Sequence, residues 1–489
     1  MDILAHAAAR FGNAPMLYLP NRVLSFHQCN EQAAAIAARL QSKGVRAGAI
    51  VAILSPNTPE LVLLLLALLK SGIIAAPLNH RLPQPLLTRM VERLQPCLLI
   101  SDIDAPHISN INNHLSFSSL LDGITYSNTS QSGCPLLSAE SEVTRNNFPA
   151  DAMQQPVTII HTSASSGEAK AALHSLANHW YSALGSNHNL PFASGDCWLL
   201  SLPLCHIGGY SLLFRALLSG GALAISAPHA SLSNALSNFP LTHLSLVPTQ
   251  LYRLLADSEN GEQFRSIKAI LLGGSAAPAS LIEEALRRQL PLYLTYGSTE
   301  MSSQIATSFK PLTTLQLDSG TVLPYRQVAV SDDGELLVKG ECLFLGYLRD
   351  GEIAPQRDGD GWFHTADVGT LAADGTLTVL GRKDNMFIVG GENIHPEEIE
   401  RALLQIDSIH EAIVVPAPDA EYGQRPVAFI ATTHLNEPTD AALMQQMRLF
   451  VGTLKTPQRF YRVTEWELLS GSQKINRRFY KEFVLHSIT

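Results

Sequence analysis

Short, fully apolar runs alternate with helical stretches along most of this 489-residue chain. Val51-Ala52-Ile53-Leu54 is one such run, and Ser55-Pro56-Asn57-Thr58-Pro59 breaks it. A helical stretch follows, then Gly72-Ile73-Ile74-Ala75-Ala76-Pro77-Leu78. Strand, helix and strand with Gly/Pro boundaries make a βαβ unit, and strands apolar at every position suit a parallel sheet covered on both faces. Residues 28–43 carry apolar positions at helical spacing. The alternation resumes at Val157-Thr158-Ile159-Ile160 and continues through Trp198 to Leu202, Ala222 to Ile225, Leu244 to Val247 and Ala269 to Leu272. From about residue 320 the pattern changes to short strands with Asp-Gly turns, at Asp333-Gly334 and Asp374-Gly375. The predicted fold class is therefore α/β: a large N-terminal domain of layered sheets with a small β-rich subdomain, followed by a small α+β unit in the last hundred residues. Residues 104–150 are Ser/Asn-rich and read as a loop-rich connection.

A chain of this length needs more than one core. Charged residues make up only 16%, against roughly 25% in ordinary soluble proteins, which implies a large buried interior rather than disorder. A net charge of −9 gives no basic face for nucleic acid or an anionic membrane. The longest apolar run, Leu61 to Leu69, ends at Lys70 and is far short of the about 20 residues a membrane span requires, so a buried helix is expected. The six cysteines include no C-x-x-C pair, and reduced thiols in a cytoplasmic protein are the expectation. Met1-Asp2-Ile3-Leu4-Ala5-His6 lacks the basic-then-apolar pattern of a secretory signal. Assembly into a homo-oligomer stays open.

Several segments carry chemistry. Thr162-Ser163-Ala164-Ser165-Ser166-Gly167-Glu168-Ala169-Lys170 follows a predicted strand. Its hydroxyls and small residues let N–H groups converge on phosphate, and Lys170 adds positive charge. It lacks the G-K-[ST] ending of a Walker A loop. Tyr296-Gly297-Ser298-Thr299-Glu300 offers a ring to stack on a base, a hydroxyl for a phosphate oxygen and a carboxylate for Mg²⁺. Asp367 and Arg382, at what read as separate turns, suit the hydroxyls of a ribose. Gly390-Gly391 permits close backbone approach, Pro396 opens an acidic helix start, and Lys474 lies in a short loop before a final helix. Each piece alone reads equally well as an ordinary turn.

Together and in this order they resemble the acyl-adenylate-forming superfamily, from about residue 20 to 485. The chain departs from the usual pattern at Ala164, where glycine is usual, at Ala169, where proline is usual, and at Gln473, where glycine precedes the late lysine. The resemblance implies domains at 1–381 and 382–489 with a hinge at Asp384. It implies ATP, Mg²⁺ and coenzyme A as the small molecules handled. Thr162, Ser163, Ser165, Ser166, Gly167 and Lys170 would hold phosphates, and Glu300 the metal. Gly273, Gly274, Ser275 and Tyr296 would form the adenine pocket, with Thr299 on the α-phosphate and Asp367 and Arg382 on the ribose. Lys474 would bridge carboxylate and α-phosphate, and Gly390 and Gly391 would lie along the pantetheine arm of coenzyme A.

The acyl pocket is expected near Leu202 to Gly209, with His206 at the acyl site. Arg215 is the only charged side chain between His206 and His229. A buried arginine without an acidic partner is costly, so it is expected to face either a structural ion-pair partner, the protein surface or a second carboxylate on the substrate. Trp198 to Gly221 and Ser245 to Leu255 resemble the superfamily's ligases for an aromatic keto-dicarboxylate. A medium-chain or aryl acyl-CoA synthetase and a stand-alone enzyme loading a carrier protein are the alternatives.

Overall fold

The computed structural model describes residues 2–102, 113–122, 149–162, 169–227, 230–257, 264–275, 277–390, 392–419, 421–432, 438–469 and 474–487. Most of the Ser/Asn-rich connection lies outside these residues.

The helix Phe26–Ser42 begins at a capping box, in which Ser25 Oγ accepts from the Gln28 N–H and the Gln28 side chain returns to the Ser25 N–H. Its buried residues Phe26, Cys29, Ala33, Ile36, Ala37 and Leu40 recur at helical spacing. The helix Pro59–Lys70 starts at the Thr58 cap with Pro59 in its first turn, and Leu61 through Leu68 are all buried. That is the buried helix expected for the longest apolar run. Ile50–Leu54, Ile74–Leu78 and Leu98–Ser101 pair in parallel, as their unbroken apolar character requires.

Among the described residues the large N-terminal domain holds two sheets of nine and eight strands. The nine-stranded sheet runs Thr321–Val322, Ser303–Thr307, Leu292–Ser298, Ala269–Leu272, His243–Leu246, Cys197–Leu199, Ala222–Ala224, Pro15–Leu19, Arg22–Ser25. The eight-stranded sheet includes Gly346–Arg349, Ala171–Ser175 and Pro156–His161 beside the parallel strands named above. One continuous core joins residues of both sheets to the helices between them, from Met16 and Leu17 to Val51, Ile160, Trp180, Trp198 and Phe214. The β-rich subdomain is an antiparallel four-stranded sheet in the order Gln327–Val330, Glu335–Lys339, Phe363–Leu371, Leu377–Arg382.

Beyond the turn Lys383–Asn385 the small C-terminal domain packs the helices Pro396–Leu403, Asp440–Lys455 and Arg477–Ser487 on the strands Ile409–Asp419, Gly423–Thr432 and Phe460–Arg462. It docks on the larger domain through specific contacts. Arg401 donates to the carbonyls of Val379 and Leu380, each at 2.9 Å. The His410 ring stacks near that of Tyr252, with centroids 6.1 Å apart.

His243, fully buried in the nine-stranded sheet, sets a pH dependence. Its Nδ1 meets Thr242 Oγ1 at 2.8 Å, and its Nε2 meets the Pro191 carbonyl at 3.1 Å. Burial pushes its pKa from 6.5 down to about 4, with Lys268 and Arg215 adding to the fall and Asp196 and the Pro191 carbonyl opposing it. The fold therefore holds this ring neutral, whereas the unfolded chain protonates it near 6.5. Its stabilisation is complete above about pH 6.5 and is lost as pH falls towards 4. Urea midpoints measured at pH 7.5 and 4.5 should fall at the lower pH, and His243→Gln should flatten that difference.

Candidate active site

Three strand ends converge on one cleft. Lys170 closes the neck of the predicted phosphate turn: Thr162 N–H donates to the Lys170 carbonyl at 2.9 Å, and Lys170 N–H donates to Thr162 Oγ1 at 3.3 Å. Ser163, Ser165, Ser166 and Gly167 lie outside the described residues, as does Ala164. The Lys170 ammonium sits 5.1 Å from the centre of the Tyr347 ring, and the Tyr347 hydroxyl donates to Glu300 Oε1 at 2.6 Å. Lys170 at the neck of that turn and Glu300 thus both meet one tyrosine that carried no motif signal.

Tyr296, Gly297 and Ser298 belong to the strand Leu292–Ser298 itself rather than to a turn after it. Gly297 is needed there because a Cβ would lie 2.0 Å from the Ser303 carbonyl oxygen of the returning strand Ser303–Thr307. Thr299 and Glu300 form the turn between the two. Glu300 spends Oε1 on Tyr347, and among the described residues no lysine or arginine closes on it as an ion pair. Its carboxylate therefore fits a hard cation such as Mg²⁺, which takes one carboxylate and completes its shell with phosphate and water. Gly273, Gly274 and Ser275 follow the neighbouring strand Ala269–Leu272, with Gly274 at φ +88°.

Asp367 and Arg382 correct the sequence reading. They do not sit at separate turns: they face each other on the paired strands Phe363–Leu371 and Leu377–Arg382. Arg382 reaches Asp367 at 3.1 Å and the Thr365 carbonyl at 2.9 Å, and it forks onto Asp384 at 3.0 and 3.2 Å. Tyr296 donates its hydroxyl to the other Asp367 oxygen at 2.5 Å. Burial raises the Asp367 pKa, against the pull of Tyr296 and Arg382. Predicted adenine, ribose and hinge residues thus form one hydrogen-bonded chain, Tyr296–Asp367–Arg382–Asp384.

Lys474 enters this cleft from the small domain. The Leu469 N–H donates to the Lys474 carbonyl at 2.8 Å, and Leu468 bridges Ile475. Three residues on, Arg477 pairs with half-buried Glu400 at 2.6 Å and donates to the Val414 carbonyl at 2.6 Å, which anchors the loop. Lys474 keeps solvent contact, yet the protein crowding its ammonium lowers its pKa, with Asp367, Arg382 and Glu300 as electrostatic neighbours. Burial, and then Lys474, lower the pKa of His206. His206 caps the helix Ile207–Ser219 without a side-chain cap bond, so its ring is available to the cleft. The preceding loop is pinned by Asn57, which donates to the Leu200 and Leu202 carbonyls and accepts from Leu204 N–H; the sequence reading missed it.

Arg215 lies two turns along the same helix and is 3% exposed. The surface and ion-pair expectations for it are not met: no carboxylate pairs with it among the described residues. Its Nη2 donates to Gln304 Oε1 at 2.7 Å, its guanidinium lies 4.9 Å from the Trp198 ring centre, and its Nε and Nη1 have no hydrogen-bond partner among the described residues. Burial, helped by Arg326, pushes its pKa down to about 9. Gly390 takes φ +56° in the turn between Phe387–Val389 and Glu392–Ile394, so its glycine character serves that turn; Gly391 lies outside the described residues. His174, Gln304 and Tyr347, on strands, and Asn57, in the loop before a helix, belong to no short motif.

Residues 4–348 match the family described as AMP-binding enzyme, and residues 398–473 match the AMP-binding enzyme C-terminal domain. The chain belongs to the AMP-binding enzyme family. It is 34% identical over 471 residues to the 2-succinylbenzoate–CoA ligase of Salmonella typhimurium, covering 96% of this chain and 95% of that one. Two solved structures of o-succinylbenzoate CoA synthetase (MenE) from Bacillus subtilis superpose on this AMP-binding enzyme with TM-scores of 0.84, each covering 98% of both chains. One, 26% identical, holds the acyl-adenylate intermediate OSB-AMP. The other, 27% identical, holds ATP and a magnesium ion. Among the described residues no helix is long and apolar enough to cross a membrane.

Proposed function

We propose that this enzyme joins 2-succinylbenzoate to coenzyme A at the expense of ATP, a step of menaquinone biosynthesis in the cytoplasm. The observation that carries the substrate is Arg215: a buried cation with two N–H-bearing nitrogens uncommitted among the described residues, two turns along the helix whose N-terminus His206 caps. 2-Succinylbenzoate has two carboxylates. One is activated, and the other would meet this guanidinium. The named relatives and solved neighbours support the same substrate.

In the first half-reaction a carboxylate oxygen attacks the ATP α-phosphorus in line, the bond to pyrophosphate breaks, and acyl-AMP forms. Both reactants are anionic, so the barrier is lowered chiefly by cations fixed before they meet. Lys474 would lie between carboxylate and α-phosphate, with Thr299 on the α-phosphate and His206 beside the acyl group. Tyr296 and Gly273 to Ser275 would hold the base, Asp367 and Arg382 the ribose, and Lys170 with Thr162 and the serines of their turn the phosphates. Magnesium, held through Glu300, supplies charge neutralisation on the phosphates.

In the second half-reaction the thiol sulfur attacks the acyl carbon, the thiol proton is lost, and AMP leaves. The thiol must reach the carbonyl beside which Lys474 stands, so the lysine has to withdraw. We place the domain boundary at 381/382 and the hinge at Asp384. Rotation there would carry Gly390 and Gly391 towards the pantetheine arm.

Exchange of labelled pyrophosphate into ATP tests the reading. Exchange should be fastest with 2-succinylbenzoate, and slower by about 10²-fold or more with benzoate and octanoate, a ratio typical of a lost buried charge contact. Equal exchange with octanoate would favour a medium-chain acyl-CoA synthetase. Transfer to a carrier protein in preference to coenzyme A would mark a loading enzyme.

A further inference from the structure

His174 sits on the strand Ala171–Ser175, four residues after Lys170, and is 0% exposed. Its Nε2 lies 2.8 Å from the carbonyl oxygen of Thr299. A carbonyl can only accept, so Nε2 carries the hydrogen and the tautomer is set by this bond. The other nitrogen, Nδ1, has no partner among the described residues. An imidazole buried for a single hydrogen bond is a poor packing choice beside leucine or phenylalanine.

That bond falls on the turn that carries Thr299 and Glu300. The turn is held at several points, and the Thr299 carbonyl also accepts from Ser302 N–H at 3.0 Å. The Glu300 carbonyl accepts from Phe344 N–H at 2.7 Å, and its carboxylate accepts from Tyr347. The strand bearing His174 pairs with Gly346–Arg349, Tyr347 opposite Ala172. His174 and Tyr347 thus lie on two adjacent strands of the eight-stranded sheet, with Lys170 just before the first of them, and together they give two donors to the 299–300 turn.

We infer that His174 is a positioning residue for binding of magnesium-bound ATP, acting through the Thr299 carbonyl to aim the Glu300 carboxylate. The inference rests on the ATP-dependent reading above. His179, whose ring lies 5.1 Å from that of His174 and whose two nitrogens have no partner among the described residues, provides the contrast. It is equally buried and lies in the same core, but does not touch the turn.

The test is calorimetric titration of the full-length enzyme with ATP, with and without Mg²⁺, in the absence of any acid, so that no turnover is read. His174→Leu should weaken ATP binding in Mg²⁺ about tenfold, the factor that one lost hydrogen bond of ordinary worth represents. Binding without Mg²⁺, and the KM for the acid in pyrophosphate exchange, should stay within about twofold. His174→Gln, which keeps an N–H at a similar reach, should recover most of the loss, and His179→Leu should leave Mg²⁺-dependent binding unchanged. His174→Asn, polar but too short to reach Thr299, should fail like leucine and decides the matter if the leucine variant does not fold. Wild-type binding by both the leucine and asparagine variants, or an equal loss in His179→Leu, or a loss independent of Mg²⁺, overturns the inference alone. Failure of the unaltered enzyme to bind ATP in Mg²⁺ overturns the ATP-dependent reading with it.

Discussion

Lys474→Ala should lower acyl-adenylate formation by about 10²–10³-fold, the usual cost of deleting one preorganised charge donor at a transition state, while thioester formation from supplied acyl-adenylate stays within about twofold. The expectation follows from where the ammonium stands. It shares the cleft with Glu300, Asp367, Arg382 and His206, and the loop behind it is fixed by the Arg477–Glu400 pair. Protein crowding lowers its pKa, so the charged form is not what the fold favours, and the alanine variant should unfold at a similar urea concentration. The approach of two anions is what makes the charge favourable there, and only the first half-reaction brings two anions together. Lys474→Arg should restore little, because a planar fork does not replace a compact ammonium between two oxyanions. Pyrophosphate exchange reads the first step, and single-turnover mixing of purified acyl-adenylate with coenzyme A reads the second. Equal loss of both would remove the lysine from the role assigned to it.

The layered α/β architecture was readable because its strands are marked twice, by apolar runs such as Val51 to Leu54 and by the Gly and Pro residues that end them. The Tyr296 to Glu300 segment stood out for a related reason: the close approach of the returning strand at Gly297 restricts residue type locally. The Asp367–Arg382 pair was only half readable. Asp367 and Arg382 each stood out, but their apposition depends on the antiparallel register of two strands around Asp374-Gly375, with an irregularity between Val368 and Gly369 that counting along the chain does not reveal. Tyr347, His174, Asn57 and Gln304 were not readable at all. Each acts on a segment far away in sequence, and a lone polar residue on a buried strand or at a helix approach has no local pattern to distinguish it from an ordinary core residue.

Arg215→Met should lower kcat/KM for 2-succinylbenzoate by about 10²-fold or more, as expected for loss of a buried charge-assisted contact, and should leave benzoate or octanoate no worse than before. The variant should also be at least as stable as the parent, and this second expectation separates an anchor from a structural ion pair. Breaking a buried ion pair costs about 3–5 kcal/mol because a charge is stranded. Here no carboxylate is left behind among the described residues: Arg215 is held by the Gln304 amide oxygen and the Trp198 ring. Methionine fills a similar volume and frees the core of a guanidinium whose pKa is already pushed down to about 9 by burial and by neighbouring Arg326. What is lost in stability is the hydrogen bond to Gln304, about 1–3 kcal/mol for a buried acceptor left unpaired, with a long one of 3.5 Å to Ser303, and what is gained is relief from an uncompensated buried cation of at least comparable cost. The empty enzyme therefore carries a destabilised charge that a second substrate carboxylate would neutralise, so affinity for the dicarboxylate would be drawn from strain already present in the fold. Arg215→Lys should fall between, keeping the charge but losing the fork. Urea unfolding of the methionine variant, set beside its kcat/KM for the three acids, tests both expectations. A drop of several kcal/mol together with parallel loss on all three acids would make Arg215 a structural residue and remove the main support for a dicarboxylate substrate.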